Sequence, residues 1–465
     1  MKQIFYPVLL GLTLAFPMLV SCGDDSETTP QETKTDNVPD AQNEPSEEAW
    51  DQVKQKQYLQ EVGQDFLAFF SPSEFSDIKE LGMTIGSYFN NDYKKSALEN
   101  WAESVQDAIT VTLTEQERGN FTLKTARRLY AAASFNGQFT YANGKWTKTG
   151  SKEGISFTCK DKDGQTVVAE LSTSGQTKTV YAFTDTDWDY DRSLDYWKET
   201  RKETYNYFAV PEHITVKLTQ GSTTLVNVQV TTDLSSVGGE KFDIAKDAFT
   251  VSFTAKVKNY TFTSNRIMAD GSKGASADFS ISKNGQQLFA ASASGNGSVR
   301  HNIDVNSDDF EYDDYKVNDW SASNVVAKAD VLGKVQVSGT CKDIHLMMDY
   351  LKEAENNSSK LYEMQKWVDK ANEQFSVGIF YGNSTQQASL RFDIESEEYN
   401  GRVYELDYIP VIVFSDGTAY AESFFSEKNF KKLIDAWENL FEDYEEMVED
   451  VEDSFDDDDD VPQPK

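Results

Sequence analysis

From Phe135 onward the apolar residues of this chain alternate with polar ones, and short turn dipeptides interrupt the alternation. No other feature constrains the fold as tightly, because a period of two sends one face of a strand to the core and the other to water. Tyr141-Ala142-Asn143-Gly144-Lys145-Trp146 carries a type I′ hairpin signal, since both central residues of that turn need a positive φ. Asp163-Gly164, Asn284-Gly285 and Asp416-Gly417 repeat the device, with Gln220-Gly221 and Gly382-Asn383 as weaker versions. The hairpins also look alike: Ile155-Ser156-Phe157 leads to Val168-Ala169-Glu170-Leu171, and Phe279-Ser280-Ile281 to Phe289-Ala290-Ala291. Their irregular spacing speaks against a solenoid or propeller and for a long antiparallel meander.

Helical periodicity flanks this region. Leu59, Val62, Phe66, Leu67 and Phe70 form one stripe, and Phe75, Ile78, Leu81, Ile85 and Phe89 a second. Leu98, Trp101, Val105 and Ile109 form a third, and Phe121, Leu129 and Tyr130 belong to a fourth. A helical pair is expected from Ile344 to Ala371, broken near Asn356-Asn357-Ser358-Ser359. Phe430, Leu433, Ile434, Trp437, Leu440, Phe441, Tyr444, Met447, Val448 and Val451 line one face of a last helix, with Ser426 as its N-cap. The fold class is therefore α+β: N-terminal helices, a long curled antiparallel β-meander, and a C-terminal amphipathic helix packed on the sheet.

The 465 residues carry a formal charge of −34 and 59 aromatic side chains. The aromatics are ample for a core, so the chain is not disordered as a whole. The charge repels phosphate backbones and excludes nucleic acid as an expected partner. Of three cysteines, Cys159 and Cys341 each follow a β-like run, and the sequence leaves open one disulfide or two separate buried thiols.

The first residues set an address. Lys2 precedes a short apolar run, Ile4 to Val20, which Pro7 and Pro17 break and which ends in Leu19-Val20-Ser21-Cys22. This build matches a secretory signal peptide and is too short for a spanning helix. It resembles the lipobox of bacterial lipoproteins, and Gly23-Asp24-Asp25-Ser26-Glu27 resembles the acidic export tag on surface lipoproteins of Bacteroidota. The resemblance implies acylation at Cys22, attachment to the membrane through that lipid, and a place on the outer membrane of a Gram-negative cell, facing the exterior. The segments expected are then a signal peptide (1–21), a flexible acidic tether (22–47), a helical region (48–133), an antiparallel β region (134–342), an α+β region closing the sheet (343–453) and a disordered acidic tail (454–465).

Little in the chain points to catalysis. It holds no Gly-rich phosphate loop, His-Glu-x-x-His motif, nucleophile elbow or Cys-x-x-Cys pair, and its histidines, His213, His301 and His345, are scattered. Asp185-Thr186-Asp187-Trp188-Asp189-Tyr190-Asp191 is the most distinctive local pattern. In an extended segment, Asp185, Asp187, Asp189 and Asp191 share one face, a set of oxygens that suits Ca²⁺. It departs from the EF-hand template at Tyr190 and Tyr196, and the plainer expectation is a solvated edge. Asp308-Asp309-Phe310-Glu311-Tyr312-Asp313-Asp314-Tyr315 is a second acidic-aromatic run. The expected function is a non-enzymatic lipoprotein that binds an extracellular glycan or protein ligand. The alternative is a carrier or sensor of lipid or other hydrophobic molecules, in a cavity between sheet and helix. A polysaccharide hydrolase ranks third.

Overall fold

The computed structural model describes residues 38–90, 137–150, 154–191, 196–238, 247–300, 319–382, 385–399 and 402–454. The third and fourth helical stripes, Cys22, His301 and the 308–315 run lie outside them. Sixteen strands form a mostly antiparallel open sheet, accompanied by helices. The chain divides into two compact units, each gathered from three stretches: Met1–Ser71, Tyr260–Asn302 and Val317–Asp443 make the first, and Pro72–Asn259, Ile303–Lys316 and Tyr444–Lys465 the second.

The second unit holds strands β1 (Gly137–Ala142), β2 (Lys145–Gly150), β3 (Ile155–Lys160), β4 (Thr166–Asp191), β5 (Tyr196–Gln220), β6 (Thr223–Asp233) and β7 (Ala248–Val257). The β1–β2 turn has φ of 54° at Asn143 and 77° at Gly144, as a type I′ hairpin requires. One pairing departs from the antiparallel expectation: β3 runs parallel to β1. The chain returns along β1 because the rings there cluster; Phe157 lies 5.4 Å from both Phe139 and Trp146. Leu81 and Phe89 of helix α2 (Ser76–Asn90) join this core, as the second stripe predicts.

In the first unit, strands β8 (Tyr260–Asp270) to β16 (Gly417–Tyr420) follow one another in sequence order across the sheet. Helix α1 (Gln52–Leu67) starts at Asp51, whose side chain accepts the Lys54 amide proton. It buries Val62, Phe66 and Leu67, with Phe66 packed on Ile281 and Leu288. The expected helical pair is α3 (Ile344–Asn356) and α4 (Leu361–Asn372). Met364 and Val368 of α4 pack with Leu406 of β15 (Arg402–Phe414). After the short α5 (Ala421–Phe425) comes α6 (Glu427–Asp453), kinked at Phe430.

Ser426 stands at the entry to α6 but does not cap it with its side chain. Its hydroxyl donates to the Ser423 carbonyl, while its own carbonyl accepts from Asn429 and Phe430. Nor does α6 lie on strands throughout. Phe430 joins the sheet residues Ile412 and Phe414, but Trp437 meets Phe66 of α1 and Leu433 closes on Gly63 of α1. In the second unit, Tyr444 meets Phe75 and Val451 closes on Gly82 of α2. Glycines at 63 and 82 remove the Cβ atoms that would collide there, so helix packs on helix.

Residues 38–47, assigned above to the tether, are bound to the first unit. Ser46 donates its amide to the Gln386 carbonyl, and Val38 is buried. Just beyond, Gln55 is fully buried and makes three hydrogen bonds. Its Nε2 donates to the carbonyls of Trp50 (2.7 Å) and Gln387 (2.8 Å), and its Oε1 accepts from the Tyr381 hydroxyl (2.8 Å). Replacing Gln55 with Leu takes the partner from the buried Gln387 carbonyl and Tyr381 hydroxyl, while the Trp50 carbonyl keeps the Ser415 hydroxyl, so a loss of roughly 2–4 kcal/mol is expected in urea denaturation followed by Trp fluorescence.

Candidate functional site

Three elements of the first unit converge on an open depression of ≈ 320 Å³. The end of α1 brings Asp65, Ala68 and Phe69; the turn between β9 (Gly274–Lys283) and β10 (Gln286–Arg300) brings Gln286; the turn between β11 (Asp319–Val331) and β12 (Val335–Asp343) brings Leu332 and Lys334. Its lining mixes apolar residues (Ala68, Phe69, Leu332) with polar ones (Asp65, Gln286, Lys334), so hydrogen-bonding groups stand beside apolar surface.

Two of the lining residues form an ion pair. Lys334 Nζ lies 2.6 Å from Asp65 Oδ2, and this hydrogen bond holds the Lys334 ammonium above its usual range. Both side chains remain about half exposed, so the pair is a weak contributor to stability and is free to exchange partners with a ligand. Tyr58 donates its hydroxyl to the Lys334 carbonyl, 3.3 Å away, and burial raises its pKa. Phe69 is fixed through its carbonyl, which accepts from the Tyr260 hydroxyl (2.5 Å) and from Lys283 Nζ (2.8 Å).

Leu332 is the unusual residue. Its φ is 57°, left-handed backbone that Asn and Gly adopt readily but that costs a leucine roughly 1–2 kcal/mol. Gly333 follows at φ 66°, so the turn resembles the Asn-Gly hairpins with the Asn exchanged for an apolar side chain. That leucine packs at the edge of the Phe66–Ile281–Leu288 cluster while lining the depression. Neither this turn nor the depression was visible in the sequence, because Leu332 hides the turn signal. Asn284-Gly285, which sets the β9–β10 turn before Gln286, was the one readable clue.

None of the residues singled out above lines this depression. Asp185, Asp187, Asp189 and Asp191 lie on β4, extended as expected and paired with β5. The register with β5 shifts between Thr186 and Trp188. Cys159 and Cys341 are unbridged, on β3 and β12, so of the two alternatives the structure has separate thiols. His213 is 3.8 Å from Glu212, and His345 is 3.4 Å from Asp349 on the same helix; both are surface pairs. Among the described residues, no group of three or more His, Cys, Asp or Glu is placed to hold a metal ion, and no helix is long and apolar enough to cross a membrane.

Burial, reinforced by the nearby Asp161 charge, pushes the Cys159 thiol up to about 11. The folded thiol stays protonated where the unfolded one ionises, so its contribution is complete below about pH 9 and is lost as pH rises towards 11. Denaturation of the parent chain and of Cys159→Ala across pH 8–11 should therefore show a steeper alkaline loss in the parent. Equal slopes would refute the assignment. No family model matches this chain, and neither a curated protein nor a solved structure is similar to it.

Proposed function

We propose that this chain is a surface lipoprotein of a Gram-negative bacterium, anchored by an acylated Cys22 and binding a ligand outside the cell without transforming it. The lipobox-like Leu19–Cys22 and the acidic Gly23–Glu27 motivate the address. The observation that carries the binding reading is the depression: it opens to water and offers a carboxylate, an ammonium and an amide beside Phe69 and Leu332. Apolar surface beside hydrogen-bonding groups suits a glycan or the side chain of a protein ligand, since both present alternating apolar and polar patches. A leucine kept in a left-handed turn is a local cost that a ligand-contacting role would explain.

The carrier reading, with a curled sheet closed by the C-terminal helix around an acyl chain, has less support. Phe430, Leu433 and Trp437 of α6 are spent on packing against Phe414, Gly63 and Phe66. Such contacts leave that helix face engaged with protein.

Placement is tested by protease shaving of intact cells: the ectodomain should be cut while a periplasmic control survives, and an untouched chain would contradict the surface address. Binding is tested by presenting the ectodomain to arrayed glycans and to extracellular-matrix proteins. Asp65→Ala with Lys334→Ala should lower affinity for any captured ligand about tenfold or more, with a small change in melting temperature. A ligand held equally well by the double variant would remove the depression from consideration.

A further inference from the structure

The face of the first unit's sheet turned away from Ile379, Ala388 and Ile412 carries a continuous row of paired residues. Lys328 of β11 pairs with Ser338 of β12, Ser338 with Gly378 of β13 (Phe375–Phe380), and Gly378 with Ser389 of β14 (Gln386–Tyr399). Paired residues point to the same side, so the row spans three strand spacings, about 14 Å. Residues 38–46 lie across it without forming helix or strand.

The contacts are made almost wholly to main-chain atoms. Gln386 Oε1 accepts from the Gln42 amide (2.7 Å), and its Nε2 donates to the carbonyls of Gln42 (2.7 Å) and Glu44 (3.0 Å). Ser389 Oγ donates to the Asn43 carbonyl (2.9 Å) and Lys328 Nζ to that of Val38 (2.9 Å). The side chains of Gln42, Asn43 and Glu44 are exposed. Val38, buried, and Asp40, 3.1 Å from Lys328 Nζ, add side-chain recognition, and Pro39, Ala41, Pro45 and Ser46 are half-buried. Within the row, Ser338 is fully buried, and its hydroxyl has no hydrogen-bond partner among the described residues. The resident strap thus leaves one donor-acceptor of the row unused.

We propose that this row is a binding site for polypeptide main chain, and that residues 38–46 are its exchangeable occupant, replaceable by the same stretch of a second copy of this chain. A site that reads carbonyls and amides while the side chains of Gln42, Asn43 and Glu44 face water tolerates change at those three positions, provided that a small aliphatic residue fills the place of Val38. Its occupancy also sets the reach of the anchor, a consequence that rests on the lipid-anchor reading while the site itself does not. With the strap seated, residues 23–37 can span about 50 Å; with it displaced, the nine freed residues add about 30 Å.

The test uses the full chain from residue 22, carrying Cys22→Ser and a specific protease site between Glu47 and Glu48. After cleavage, native mass spectrometry should find the N-terminal fragment retained, and an excess of isotope-labelled peptide covering residues 36–47 should replace it. Gln386→Ala with Ser389→Ala removes four hydrogen bonds to the strap and should accelerate replacement about tenfold or more. A peptide with alanine at 42, 43 and 44 should compete as well as the parent, and one carrying Val38→Asp should compete at least about tenfold worse. A fragment that departs on cutting, or that stays and never exchanges, overturns the proposal. Exchange in the parent chain alone decides it if the double variant does not fold.

Discussion

The first unit is held in register by one buried amide. Gln55 connects the carbonyl that precedes α1, the carbonyl of the irregular residue Gln387, and the hydroxyl of Tyr381 at the end of β13. Gln387 returns the contact by accepting the Trp50 amide at 2.9 Å. The ring of bonds sits under Trp50, Tyr58 and Tyr381, whose centroids are 4.9 to 5.4 Å apart. Those rings exclude water, which is why the bonds must all be made and why burial raises the Tyr381 pKa. The register of β13 with β14 shifts at this point, so the amide also holds a bulge in place.

Two features of the candidate site follow from that joint. By fixing α1 against β13 and β14, it fixes where the last turn of α1 delivers Asp65, Ala68 and Phe69. The same joint starts α1 directly after the strap, so the chain that crosses the row on one side of the sheet enters the helix on the other. The depression and the strap therefore share a support, though one presents side chains to solvent and the other has its main chain read by buried groups.

Much of the architecture was legible in the sequence because it depends on local periodicity. The stripes Val62–Phe66 and Leu81–Phe89 bury as their spacing requires, and Asn143-Gly144 and Asn284-Gly285 turn as their backbone permits. The α3–α4 pair breaks at Asn357–Lys360, where helix-breaking polar residues accumulate. The site was far less legible. Asp65, Phe69, Gln286, Leu332 and Lys334 are ordinary residues at ordinary positions, and Leu332 conceals the turn that it occupies. The parallel β1–β3 pair was also hidden, since alternation says which face of a strand is apolar and nothing about the direction of its neighbour.

By itself, then, the sequence determined the succession of helices and strands, the positions of most hairpins, the acidity of the chain and the lipobox-like start, all of which are written within windows of a few residues. Tertiary structure decided what those windows cannot contain. It brought Asp65 to within 2.6 Å of Lys334, 269 residues away in the chain, and it laid Asn43 on Ser389, 346 residues away. It also turned α6 towards α1 and α2, because Gly63 and Gly82 leave space for side chains whose arrival no local pattern encodes. Periodicity selects the face an element buries; only the closing of distant segments selects what meets it.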